Sequence, residues 1–318
     1  MRTGSPRERK YSNCRDMDQN NVKVQMIIEM VWLRPVLEKY FPSLRGLSVE
    51  DIPKEMTMTD LVRENRLSPE DMQKMTQEAM ASMAAFNEKT KEEAYEFDPD
   101  VDLSDDHYLW GTPEEKEKCV CSIEKRYTGR TGEIVFYGPS NITLWYSLEK
   151  DMEPYQAQNH GMGGCTDEDL IHYADRLLYP FKPKAVFFQS GSNDMTYGLS
   201  VEEIIENKKK MYSLFLEKLP KTELVIMSGL PLPGRKAYWK DTDRINHFLK
   251  EYAESHPRLH YMDATEVMTR EMGEEAHRTY DGRYFIPEYF RLDQIHLNKK
   301  GHDVWTERIK ETLKTLGL

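Results

Sequence analysis

Three residues, Ser140, Asp293 and His296, have the types that acyl chemistry needs. Ser140 stands in Gly138-Pro139-Ser140-Asn141, directly after a short apolar run, and a helix-like stretch at 142–148 follows at once. A serine at such a strand-to-helix turn projects its hydroxyl from the top of a sheet. Its own N–H lies at a helix N-terminus, where unpaired donors favour negative charge. Asp293 and His296 stand in a loop ahead of the last helical pattern. An aspartate three residues before a histidine accepts the imidazole Nδ1 proton and leaves Nε2 free as a base. Two further turns offer hydrogen-bond donors. Gly161-Met162-Gly163-Gly164 lets backbone N–H groups approach a ligand with no Cβ in the way, and the side-chain amide of Asn193 in Gly191-Ser192-Asn193-Asp194 suits an oxyanion. Taken singly, each has an ordinary reading, because Ser and Asn at such turns commonly act as N-caps or turn residues.

Other chemistries are poorer fits. Gly161-Met162-Gly163 runs on into Gly164, Cys165 and Thr166, which is not G-x-G-x-x-G, and it does not follow the first strand, so a nicotinamide cofactor is rejected. His296 and His302 are six residues apart, share no helix face and have no further ligand cluster, so no metal is expected. No organic cofactor is expected either. The 44 Lys and Arg against 55 Asp and Glu leave a net charge of −11, which repels phosphate backbones and anionic lipid surfaces. Nucleic acid is therefore not an expected partner. With 39% hydrophobic residues the chain can bury a core, but no run approaches the 18 or more apolar residues of a spanning helix, so no membrane insertion is expected. The basic first residues lack the apolar stretch of a secretory signal, and the four cysteines form no disulfide framework. The expectation is a cytoplasmic protein with reduced thiols.

The elements that would position these residues alternate. Short apolar runs at 133–137, 185–188, 223–227 and 259–262 read as strands buried on both faces, with a weaker fifth at 155–158. Helical patterns at about 166–178, 200–219, 242–256 and 299–316 lie between and after them, which means βαβ units and a parallel sheet. In an open parallel sheet the site lies beyond the carboxyl ends of the strands, where Ser140, Gly164 and Asn193 fall. The expected architecture is a flavodoxin-like three-layer α/β/α sandwich with a five-stranded parallel sheet over 131–318, plus an N-terminal helical extension over 1–95. The first ~20 residues of that extension are expected to be disordered, and an acidic, turn-rich stretch at 96–130 is read as a connector. In the extension, Ser68-Pro69-Glu70-Asp71 offers an N-cap, a proline at N1 and early acids; Met72, Met75, Ala79, Met83 and Phe86 then form an apolar stripe that needs a partner surface. That region is expected to pack on the rest of the chain and border the entrance to the site. Tyr137, Trp145, Tyr238 and Trp239 are aromatics near the inferred loops, more in keeping with core or rim than with a sugar platform.

The four turns, taken in order, resemble the SGNH (GDSL-type) hydrolase family: Gly-x-Ser-Asn at 138–141, Asn-x-Gly-x-x-Gly at 159–164, Gly-x-Asn-Asp at 191–194 and Asp-x-x-His at 293–296. The resemblance covers roughly 130–317 and takes in Pro231, Pro233 and Asn246. It implies Ser140 as nucleophile, His296 as base and Asp293 as its orienting acid. The implied oxyanion hole is the N–H groups of Ser140 and Gly164 with the Asn193 amide. One departure stands out, since the family's Gly-Asp-Ser reads Gly138-Pro139-Ser140 here. The function implied is a serine esterase acting on a small or short-chain acyl ester, with carbohydrate O-acetyl esters a subset, and a small-molecule ester as its partner. Two alternatives stay open: acyl transfer by the same residues, and a weakened enzyme that binds through its N-terminal helices. A homo-oligomer is also left open.

Overall fold

A computed structural model of the chain describes residues 22–271 and 283–318. The stretch expected to be disordered, and Cys14, lie outside the described residues. The chain divides into two compact units, one formed by residues up to Thr90 with Gly234–Ala237, the other by Lys91–Pro233 with Tyr238–Leu318.

The first unit is built from short helices, α1 (Val24–Ile27), α2 (Arg34–Tyr40) and α3 (Met58–Glu64), and from most of a long helix, α4 (Pro69–Phe97). Its core is small: Val24, Ile28, Leu37, Phe41, Leu44, Val49, Ile52 and Leu61. Turn chemistry fixes the helix starts. Thr57 and Asp60 form a capping box for α3, and the Ser68 hydroxyl accepts the Asp71 N–H at 3.1 Å at the start of α4. The methionine stripe does not receive the burial expected of it. Met75 packs against the small core, but Met83 is 41% exposed and neighbouring Met80 is 62% exposed. A 29-residue helix outruns a core of this size, and Ala94 is its one buried residue.

The second unit carries a five-stranded, all-parallel sheet in the order β2-β1-β3-β4-β5, the flavodoxin-like order expected. Its strands are β1 (Ile134–Gly138), β2 (Ala157–Gly161), β3 (Ala185–Phe188), β4 (Glu223–Met227) and β5 (Leu259–Met262). Side chains alternate between faces with the two-residue period of a strand. Val135, Tyr137, Val186, Phe188, Leu224 and Ile226 face one core. Helices α5 (Pro113–Arg126), α8 (Asp167–Leu177), α10 (Val201–Lys218) and α11 (Trp239–Ala253) cover it. Ile134, Phe136, Ala185, Phe187, Val225 and Met227 face the other, under α12 (Lys299–Leu316) and the short helices α6 (Ser140–Thr143) and α7 (Leu148–Asp151). A one-turn helix, α9 (Ser192–Thr196), follows β3, and β6 (Thr269–Glu271) pairs antiparallel with β7 (Arg283–Phe285).

Two expectations change. The connector is not irregular throughout: 113–126 is helix α5, capped by Thr112 and Glu115, and its Cys119, Val120 and Ile123 belong to the sheet's core. Exposed charges of both signs, Glu114, Glu117, Lys118, Lys125 and Arg126, mask its apolar stripe in the sequence. The weak second strand runs at 157–161, later than read, because its polar residues are buried. His160 is held between the Leu177 carbonyl (2.5 Å) and Gln158 (2.9 Å), and Gln158 donates to Glu133. Satisfied polar groups can occupy a buried strand, and nothing in an apolar pattern shows it.

Candidate active site

Close backbone approaches lie where β1 and β2 end. A Cβ on Gly138 would stand 2.5 Å from the Gln189 carbonyl oxygen, and one on Gly161 would collide with the backbone of Thr143. These glycines let β1 turn directly into α6, with Ser140 as its first residue. Pro139 stands where the family motif has Asp. Its carbonyl accepts the N–H groups of Ile142 (2.9 Å) and Thr143 (3.2 Å), so the turn closes on backbone bonds. Asn159 braces the same turn from β2: its amide donates to the carbonyls of Ile142 (2.8 Å) and Trp145 (3.2 Å).

The loop before α12 brings the other two residues to this point. His296 Nε2 lies 2.8 Å from Ser140 Oγ, and His296 Nδ1 lies 2.6 Å from Asp293 Oδ2. The second carboxylate oxygen, Oδ1, accepts the backbone N–H groups of Ile295 (2.8 Å) and His296 (2.9 Å). Burial alone would raise the Asp293 carboxyl. The facing imidazole and the donated hydrogen bonds outweigh it and pull the group down to about 2. Asp293 is therefore ionised at neutral pH and fixes the imidazole with Nε2 toward the serine. Ser140, Asp293 and His296 are all partly accessible, as are Gly164 and Asn193.

The remaining residues named from sequence converge here as well. Gly164 follows β2 with φ +68°, a left-handed conformation that favours glycine. Asn193 lies in α9, and its Nδ2 donates to the Cys165 carbonyl at 3.0 Å, tying the turn after β3 to the turn after β2. An amide nitrogen carries two hydrogens, so one remains for a ligand. Behind these turns is a buried ionic network. Lys208 reaches Ser190 (2.8 Å) and Asp167 (3.2 Å), and Asp194 accepts the Asp167 N–H. His302 is buried. It stacks on Trp145 with ring centroids 5.0 Å apart and contacts the Asn141 carbonyl at 3.1 Å, a structural role. Tyr137 and Trp145 are core residues, with their polar ends on the Leu170 carbonyl and Asp151. Asn246 pins the loop after β4 through both hydrogen bonds to Gly229.

Three supports carried no assigned role in the sequence. The Asn141 side chain accepts the Leu297 N–H at 2.9 Å, joining the serine turn to the histidine loop. Arg291, buried, donates to the carbonyls of Leu297 (2.9 Å) and Leu144 (3.1 Å), and its guanidinium lies 5.1 Å from the Tyr146 ring centroid. Glu93 accepts the Leu292 N–H at 3.0 Å. Asn141 sits beside the serine, which was a usable signal. Glu93 is 199 residues from Leu292, and no local pattern points to it.

Known proteins resemble this chain. The GDSL-like Lipase/Acylhydrolase family matches residues 137–304. The platelet-activating factor acetylhydrolase IB subunit alpha1 of Bos taurus is 26% identical over 175 residues, 54% of this chain and 70% of its own length; the Homo sapiens protein gives the same figures. An N-acylneuraminate cytidylyltransferase of Streptococcus agalactiae is 28% identical over 204 residues, 61% of this chain but 47% of its own length. Among solved structures, one named for platelet activating factor, from Streptococcus pneumonia, aligns with a TM-score of 0.54 at 20% identity, covering 63% of this chain and 93% of its own. That likeness bears on the fold alone.

Proposed function

The chain belongs to the GDSL-like lipase/acylhydrolase family, and on that premise we propose that it is a serine esterase cleaving a small or short-chain acyl ester through Ser140, His296 and Asp293. The observation that carries this reading is the unbroken relay from Asp293 Oδ2 to His296 (2.6 Å) and from His296 to Ser140 Oγ (2.8 Å). A serine hydroxyl is a weak nucleophile at neutral pH, so His296 takes its proton as the C–O bond forms. Asp293 holds the ring in the productive tautomer and stabilises the imidazolium without becoming protonated. Charge then develops on the carbonyl oxygen, which the N–H groups of Ser140 and Gly164 and the free hydrogen of the Asn193 amide receive. Each such donor is worth about 10²–10³ in kcat. The imidazolium protonates the leaving alcohol, and water activated by the same His296 releases the acyl group.

A short acyl group, acetyl above all, is favoured by the similarity to an acetylhydrolase, and carbohydrate O-acetyl esters are a subset of that class. The test has two steps. A fluorophosphonate probe should label the wild-type protein and fail to label Ser140→Ala. A p-nitrophenyl ester series from acetate to palmitate should then give its highest kcat/KM at the short end. Labelling that persists without Ser140, or a maximum at palmitate, overturns the respective half of the proposal.

A further inference from the structure

One glycine of the turn after β2 is explained neither by the motif nor by its backbone. The motif uses Gly161 and Gly164, and the left-handed glycine of the turn is Gly164; Gly163 adopts no such conformation. What requires a glycine at 163 is a neighbour. A Cβ there would collide with the indole of Trp110, at Cγ, Cδ2 and Cε3 together, so the ring lies flat across the Gly163 backbone. It also reaches Gly164, where a Cβ would be 4.0 Å from Trp110 Cδ1. Trp110 is nevertheless 36% exposed, a large aromatic with one face on the turn that carries the Gly164 N–H and surface left open.

The segment holding this indole is anchored on both sides. Asp105 accepts the His107 N–H at 2.8 Å and pairs with Arg126, and Thr112 caps α5 two residues beyond Trp110. Tyr108 meets Tyr146 edge to face at 5.1 Å, and Tyr146 lies under Arg291, the residue that braces the histidine loop. The indole is thus pre-positioned beside the site, the condition under which an aromatic contributes affinity at low entropic cost.

We infer that Trp110 is a substrate-binding platform for the esterase proposed above, stacking on the C–H face of an O-acetylated pyranose ring. Three observations select that ligand chemistry. An exposed indole face binds flat apolar surface. The segment that carries it is polar on either side, with Tyr108 meeting Tyr146 edge to face and the Glu115 carboxylate capping α5 beside Gly111, so the apolar surface offered is the indole's own, matched to one flat ring rather than to a long apolar chain. The net charge of −11 disfavours an anionic headgroup. A pyranose offers an apolar face with hydroxyl and acetyl groups at its edge, and it is neutral.

The test compares a ring-bearing ester, tetra-O-acetyl-xylopyranose, with a ring-free one, vinyl acetate, on the full chain. Trp110→Ala should raise KM for the sugar ester about tenfold while leaving kcat/KM for vinyl acetate within about twofold, and Trp110→Phe should recover most of the loss. Equal losses on both esters, or no loss on the sugar, overturn the platform. Binding is read separately by calorimetry of the sugar ester to Ser140→Ala with and without Trp110→Ala. A protein labelled at Ser140 by fluorophosphonate whose sugar binding ignores Trp110 refutes the platform alone. One that is not labelled but binds the sugar through Trp110 refutes the esterase and keeps the platform.

Discussion

The serine and the histidine reach the same point by opposite structural means. Ser140 is held by regular structure: a buried strand, a turn compressed by Gly138 and Gly161 against neighbouring backbone, and a helix that starts on it. His296 sits in a loop where Gln294 takes φ +60° and where the hydrogen bonds come from side chains, the distant Asn141 and Glu93 and the nearby Arg291. Steric fit, reinforced by backbone bonds and Asn159, positions the first, and side-chain hydrogen bonds position the second. The serine side should therefore fail through crowding, and the histidine side through unpaired polar groups.

The largest effects sharpen what the two sides share. Ser140→Ala and His296→Ala should each lower kcat by about 10⁴ or more, with Tm nearly unchanged, because both side chains are partly accessible and neither fills the core. A fall in Tm matching the fall in activity would mean that these residues act on folding. Asp293→Asn should cost about 10⁴ in kcat through the wrong imidazole tautomer. Asp293 also makes a stability prediction. Its folded-state value, about 2, lies below the ordinary 3.8 of an aspartate, so its contribution is fully present above pH 4 and is lost as pH falls from about 4 through 2. Urea unfolding over that window should show a decline on the order of 2 kcal/mol in wild type that is absent from Asp293→Asn. A decline of equal size in the variant would detach the acid sensitivity from this carboxylate.

The next pair breaks the comparison if it is wrong. Gly161→Ala forces a methyl group into the Thr143 backbone and should lower stability by about 1–3 kcal/mol. Arg291→Met leaves the Leu144 and Leu297 carbonyls without their donor and should cost a similar amount, about 1–3 kcal/mol, with a larger loss of kcat because the loop it braces carries the base. Arg291→Lys should not restore it, since an ammonium cannot span both carbonyls in the fixed geometry of the guanidinium. Chemical denaturation and kcat measured on the same preparations decide between the two modes.

The same contrast explains what could be read from sequence. The last helix, at 299–316, and the strands at 185–188, 223–227 and 259–262 coincide with the structure because continuous apolar runs and amphipathic periods encode them. The strand at 157–161 was displaced because its buried Gln158, Asn159 and His160 are satisfied by partners that no window of sequence contains. Helix α5 escapes an apolar pattern because charged residues of both signs crowd its short apolar stripe, and the stripe on α4 promises more burial than it receives because periodicity reports which side is apolar and not whether anything covers it. At the site, Ser140, Gly164, Asn193, Asp293 and His296 all lie in local motifs and could be named. Trp110, Arg291 and Glu93 could not be assigned their contacts, because those partners meet only after folding.

Glu93 gives the smallest expected effect and the finest test of the histidine side. Its carboxylate accepts the Leu292 N–H at 3.0 Å, one residue before Asp293, and burial holds its carboxyl above the usual range despite that bond and nearby Arg291. Burial therefore already disfavours its charge, and what Glu93 supplies to the loop is an acceptor oxygen. Glu93→Gln keeps an oxygen in that place and should leave kcat near wild type. Glu93→Ala removes the acceptor, lets the exposed Leu292 N–H turn to water, and should lower kcat a few-fold with a stability change of about 0.5–1.5 kcal/mol. If Gln and Ala lose activity equally, the negative charge near Asp293 matters more than the bond. The histidine loop would then be positioned by field as well as by hydrogen bonding, a distinction that the sterically held serine turn cannot show.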